Sequence, residues 1–204
     1  ITGLVGSEMC IRDSLNRDCV VIGIDPGIRN TGWGVIRVKE NNILHLCHGV
    51  INTEHNGSDA LRLNYIANSL DEIIKNYKPD IAVIEKIFVS NSGESALKLG
   101  MARGVALNSL VSQKKIIIKE LAARYIKKAI TGTGAADKDQ IKYMIEKLLG
   151  KIVVQSDAAD ALAIAIAGYN TPNESLNSLK LNYDKKKYSN HKLNNAIRKA
   201  LDKG

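Results

Sequence analysis

Between Val20 and Ile36 the chain runs Val-Val-Ile-Gly-Ile, stops on Asp25, turns through Pro26-Gly27 and restarts as a second strand-like stretch. Five residues that favour burial lead into a single carboxylate, which places Asp25 at the rim of a core. Pro26-Gly27 forces the turn. Gly32 and Gly34 then leave one face of the second strand open to close approach. Read alone, the pattern is compatible with a capped hairpin loop as well as with a site.

The bulk properties narrow what surrounds it. At 204 residues and 45% hydrophobic, the chain can bury a full core and reads most simply as one domain. A formal charge of +8 favours a polyanionic partner. No stretch approaches the length of apolar residues that a membrane span needs. Cys10, Cys19 and Cys47 are odd in number and lack metal-site spacing, which suits a reducing cytoplasm. The four histidines are scattered, so any metal is expected to be a hard cation held by carboxylates.

Residues 1–17 do not read as the start of a domain. Val5 to Ser14 is similar to a translated sequencing-adapter tail, and the segment is set apart from the fold. Strands are expected at Asp18–Asp25, Thr31–Lys39 and Ile43–Thr53, giving three antiparallel strands. Leu63, Ile66, Leu70, Ile73, Ile74 and Tyr77 mark one face of a helix that Lys78-Pro79-Asp80 stops. Ile81–Ile84 is a short apolar strand followed directly by Glu85, and the intervening helix makes it parallel to its neighbour. A helix rich in small residues is expected over Glu94–Val111, a strand at Lys115–Lys119 and a short helix from Glu120 to Lys128. Asp137 caps a further helix to Leu149, and an apolar helix, Ala158–Tyr169, follows Gln155-Ser156-Asp157. The expected domain is thus 18–170. The basic tail 171–204 carries eight Lys or Arg against three acids, a composition for solubility or for touching nucleic acid.

Four carboxylates stand where burial makes them costly. Asp25 and Glu85 end adjacent strands. Asp157 and Asp160 lie three apart on one face at the start of the apolar helix. Each of the first three has an ordinary alternative as a strand-end acid or a cap. Asp160 is harder to excuse, because Ala161–Ile166 carries it toward the interior and no base is near it in sequence. An unpaired buried carboxylate costs several kcal/mol. Converging, the four could hold two Mg²⁺ ions about 4 Å apart and hydrolyse a phosphodiester.

The dispersed motifs Gly23-Ile24-Asp25-Pro26-Gly27, Thr31-Gly32-Trp33-Gly34, Ala82-Val83-Ile84-Glu85, Ser95 to Gly100 with Ala102 to Val105, and Asp157 to Ala163 resemble the RuvC family of bacterial Holliday-junction resolvases. The resemblance runs from Cys19 to Tyr169 and implies an α/β, ribonuclease H-like fold. Its central mixed five-stranded sheet would have its first three strands antiparallel and helices on its flanks. It implies an Mg²⁺-dependent endonuclease, with Mn²⁺ as a substitute, that resolves four-way DNA junctions by paired nicks in recombination and repair. Asp25, Glu85, Asp157 and Asp160 match the family's metal-binding catalytic acids, and Lys127 and Lys138 its catalytic-region lysines. Phe88 matches the aromatic set against junction bases; an exposed ring in a loop after an active-site strand suits base stacking. Arg103 falls in a family motif, facing phosphate or serving the fold. A homodimer and the branch-migration proteins RuvA and RuvB are the partners the resemblance implies. A related nuclease acting on structured RNA and a junction-binding protein without cleavage are the other readings.

Overall fold

The computed structural model describes residues 18–40, 42–86, 93–112 and 116–171. The expected leader 1–17, Phe88 and nearly all of the basic tail 171–204 lie outside them. The described residues form one five-stranded mixed sheet with helices on both faces. The strands are β1 (Cys19–Asp25), β2 (Asn30–Lys39), β3 (Asn42–Asn52), β4 (Ile81–Lys86) and β5 (Ile117–Ala122), in the order β3-β2-β1-β4-β5. β1, β2 and β3 pair antiparallel, whereas β4 lies parallel to both β1 and β5.

The connection from β3, at the sheet edge, to β4 carries α1 (Asp59–Tyr77). Ser58 opens it, its side chain accepting from the Leu61 amide at 3.3 Å, so the helix starts a turn before its first periodic leucine. Ile66, Leu70 and Ile74 form its buried stripe, and Lys78 in the left-handed region ends it. α2 (Gly93–Val111) packs beside it through Ala102, Ala106 and Leu110. On the other face lie α3 (Ala123–Thr131), α4 (Lys138–Leu149) and α5 (Ser156–Tyr169). A capping box between Asp137 and Gln140 opens α4. No helix among the described residues is long and apolar enough to cross a membrane.

Most boundaries shift by one or two residues, β4 running past Glu85 to Lys86 among them, and one shift changes a residue's element. The fifth strand does not end at Lys119; it runs on to Ala122, because its ladder with β4 continues through Ile84–Glu120, Glu85–Leu121 and Lys86–Ala122. Glu120 therefore sits in the sheet, not at the start of a helix.

Side-chain alternation divides the sheet between two cores. Ile22, Ile24, Val35, Ala82 and Ile84 face α1 and α2. Val21, Ile36, Val38, Val83 and Leu121 face the other layer, whose centre is α5. With a period of two, Asp25 follows Val21 and Gly23 onto the α5 face, and Glu85 follows Val83 onto it.

Candidate active site

Parallel register aligns Ile24 with Ile84, so the next residues, Asp25 and Glu85, leave adjacent strands side by side. The turn that carries Asp25 is held from within: the Thr31 hydroxyl donates to the Gly27 carbonyl at 2.7 Å, and Thr53 donates to the Ile28 carbonyl at 2.6 Å. A Cβ on Gly27 would meet the Asn30 carbonyl oxygen at 2.2 Å, so this turn admits only glycine.

The first turn of α5 comes to the same rim because glycines let it. A Cβ at Gly32, directly opposite Asp25 in the ladder, would stand 2.0 Å from the Asp157 carbonyl oxygen. Another at Gly23 would stand 2.0 Å from the Ala161 carbonyl oxygen. The helix backbone is thus seated directly on the sheet, with Asp157 and Asp160 over the end of β1. Carboxylate oxygens of Asp25, Asp157 and Asp160 lie within 4.8 Å of one another. Glu85 is outside that group, yet it is near enough for Asp160 to push its acidity down and for it to act on Asp25 in turn.

The electrostatics follow from crowding like charges in a half-desolvated pocket. The Asp25 pKa is raised to about 7, first by burial and then by Asp160, Glu85 and Asp157, with Lys138 opposing the rise. Glu85 is raised by burial and then by Asp160, with Lys127 and Lys138 opposing. The absence of a basic neighbour for Asp160 in the sequence is corrected in space. Lys138, at the start of α4, places Nζ 3.2 Å from Asp160 Oδ2, and its own pKa is raised chiefly by that carboxylate. One lysine whose side chain is 69% exposed does not balance four acids. An all-oxygen donor set with an excess of negative charge fits a hard divalent cation.

The remaining candidates fall out unevenly. Lys127 acts electrostatically on Glu85, and its Nζ donates to the Ala136 carbonyl at 2.8 Å, which ties α3 to the segment leading into α4. Arg103, read from the sequence as facing phosphate or serving the fold, is engaged inside the fold. Its Nη2 lies 2.6 Å from Glu120 Oε2, and its Nε donates to the Glu85 carbonyl at 3.3 Å. Glu120 was missed in sequence because it reads as a helix start; the signal for it was an acid alternating with the inward Lys119 and Leu121 in a strand. The contact of Gly32 with Asp157 leaves no local signature beyond the glycine itself.

The family model for RuvC, crossover junction endodeoxyribonuclease, matches residues 21–168. Among curated relatives, the crossover junction endodeoxyribonuclease RuvC of Caulobacter vibrioides is 41% identical over 153 residues, covering 74% of this chain and 89% of that protein. The Vibrio cholerae protein of the same name is 46% identical over 158 residues, covering 74% and 87%. Among solved structures, Thermus thermophilus RuvC in complex with a Holliday junction substrate is similar with a TM-score of 0.72 and 28% identity, over 79% of this chain and 99% of that one. The yeast mitochondrial Holliday junction resolvase Ydc2, at a TM-score of 0.55 and 17% identity over 79% of this chain and 83% of that one, shares the fold.

Proposed function

This chain belongs to the RuvC family of crossover junction endodeoxyribonucleases, and from that membership we propose that it resolves four-way DNA junctions by paired, symmetric nicks. The observation that carries the proposal is the convergence of Asp25, Asp157 and Asp160 from a strand end and a helix start within 4.8 Å. In this reading Asp25, Glu85, Asp157 and Asp160 together hold Mg²⁺, with Mn²⁺ able to substitute. Bound there as a pair, the cations would activate a water and steady the leaving oxygen of the scissile phosphodiester.

The chain's own groups supply position and charge. The sheet holds Asp25 and Glu85 on one side of the scissile phosphate and α5 holds Asp157 and Asp160 on the other. Lys138 is exposed at the rim, where its ammonium pairs with Asp160 and can reach a phosphate oxygen; Lys127 is read as acting on the same cluster from the Glu85 side. Phe88 is assigned to stacking on a junction base. Arg103 is better matched to holding the Glu85 backbone than to touching DNA, since its guanidinium is already paired. Each described chain offers a single such acidic group, and paired cuts need two, so the active form is a homodimer on the junction. RuvA and RuvB are the proposed partners upstream of cleavage.

The test compares labelled four-way junction, linear duplex and structured RNA, each with Mg²⁺ or with EDTA, for the wild type and Asp157→Asn. Symmetric junction nicks that disappear in EDTA and in the variant are expected. Junction binding without cleavage in any divalent metal would overturn the proposal, and preferential cutting of structured RNA would redirect it.

A further inference from the structure

Lys119 is a buried lysine that none of the chemistry above uses. Only 2% of it is exposed, and it stands on the α5 face of β5, opposite Val83 in the ladder. Its Nζ donates to the carbonyls of Gly168 at 2.9 Å, in the last turn of α5, and of Thr171 at 2.7 Å, two residues past the helix. Burying an ammonium is costly unless its donors are used, and here two backbone carbonyls, one in the last turn of α5 and one just past it, take them. The negative end of the helix dipole favours a cation at this place.

α5 ends differently from α1, α3 and α4. α1, α3 and α4 each end in a left-handed residue, at Lys78, Gly132 and Gly150, whose amide caps the helix. α5 ends on Asn170 in the right-handed region, where the Asn170 amide donates to the Ile166 carbonyl at 3.2 Å and the Thr171 amide reaches the Gly168 carbonyl only at 3.4 Å, and side chains add to these bonds. Lys119 takes Gly168, and the Thr171 hydroxyl takes Ala167 at 2.7 Å while also meeting the Tyr125 hydroxyl at 3.1 Å.

The packing of α5 explains why a polar tie would matter there. Glycines on the sheet seat it: Gly23 against Ala161 and Ala165, Gly32 against the Asp157 backbone, and Gly34 against Leu162, so that two of the three contacts are with backbone or alanine. Such contacts set how deep the helix lies, but small side chains interlock weakly against sliding along its axis. Gly168 sits so close to Val83 that a Cβ would come within 2.2 Å of that side chain, and Lys119 grips the same spot from the next strand. A helix of 14 residues behaves as one rod about 20 Å long, so its axial position at Gly168 is also its position at Asp160.

We propose that Lys119 is a positioning residue: by clamping the C-terminal carbonyls of α5 to β5, it sets the axial register that brings Asp157 and Asp160 level with Asp25 and Glu85. The inference rests on the reading of those four acids as cation ligands. Lys119 itself touches neither cation nor DNA.

Mn²⁺ binding followed by loss of the free-ion EPR signal tests the inference without cleavage, alongside kcat and KM on a four-way junction. The variants are Lys119→Met and, as a control of similar destabilisation in the other core layer, Ile74→Ala. Lys119→Met is expected to weaken Mn²⁺ about tenfold or more, the range for outer-shell supports of metal ligands, and to lower kcat with KM for the junction unchanged. Ile74→Ala is expected to lower the Tm and leave both alone. If Lys119→Met does not fold, Lys119→Gln, which keeps a donor for one carbonyl, carries the same comparison. Unchanged Mn²⁺ affinity and kcat in the folded variant, with only a lower Tm, would overturn the positioning role. Absence of Mn²⁺ binding by the wild type would overturn the assignment of the acids instead.

Discussion

Replacing Gly32 by alanine adds one methyl group where the structure has no room for it. The new Cβ would lie 2.0 Å from the Asp157 carbonyl oxygen and 2.6 Å from its carbonyl carbon, both backbone atoms that cannot rotate away. Real Cβ contacts stay beyond 3.0 Å, so about 1 Å of separation must be opened. β2 is hydrogen-bonded on both sides, to β1 and β3, whereas the first turn of α5 meets its neighbours through side-chain packing and one exposed ion pair, which yield more easily than a strand ladder. The helix start is therefore what moves, carrying Asp157 away from Asp25. A displacement of 1 Å at a reacting geometry costs on the order of 100-fold in rate, while overpacking of one methyl costs about 1–3 kcal/mol in stability. We expect Gly32→Ala to fold, bind a four-way junction in Ca²⁺ with near-normal affinity, and nick it in Mg²⁺ about 100-fold more slowly. The assay is single-turnover nicking beside a gel-shift titration and a thermal melt. A folded Gly32→Ala protein that nicks within about threefold of the wild type would refute the claim that backbone contact positions the acid.

Three further outcomes follow from the site's charge. With its pKa raised from 3.8 to about 7, Asp25 binds its proton more tightly in the folded than in the unfolded state. Metal-free stability is thus greatest below pH 4 for this group and falls as pH rises toward 7, by about 4 kcal/mol in all. Glu85 adds to the same slope. Urea melts in EDTA at pH 5 and pH 8 should show the loss, and Asp25→Asn should remove most of it while abolishing nicking; equal slopes in the two proteins would contradict the burial argument. Lys138→Met should lower kcat about 100-fold with little change in KM for the junction, measured by nicking at saturating Mg²⁺; a pure KM effect would make Lys138 a general DNA contact. Arg103→Met frees Glu120 and the Glu85 carbonyl, and should cost about 3 kcal/mol in a urea melt, as loss of one partner of a partly buried pair does. Double substitution with Glu120→Gln should restore part of that loss, and strictly additive losses would show that the two side chains act apart.

The local pattern was enough to place the acids on their elements. An apolar strand ending in Asp25, a second apolar run leading into Glu85 and a helix apolar on nearly every side after Asp157 each follow from short-range preferences. Alternation by two then commits Asp25 and Glu85 to one face of the sheet. Such rules act over a few residues, and they hold wherever burial enforces them. The pairings that complete the site join residues far apart in the chain. Lys138 meets Asp160 across two helices, Arg103 meets Glu120 and the Glu85 backbone, and Lys119 caps a helix 49 residues further on. Their partners depend on strand register and on how closely α5 can approach the sheet, and no local propensity contains either. The same cause moved the end of β5 from Lys119 to Ala122: a strand stops where its ladder with the neighbouring strand stops, not where its own residues cease to favour extension. Gly32 belongs to both accounts. In the sequence it is a gap on one face of a strand; in the folded chain the backbone of Asp157 fills that gap.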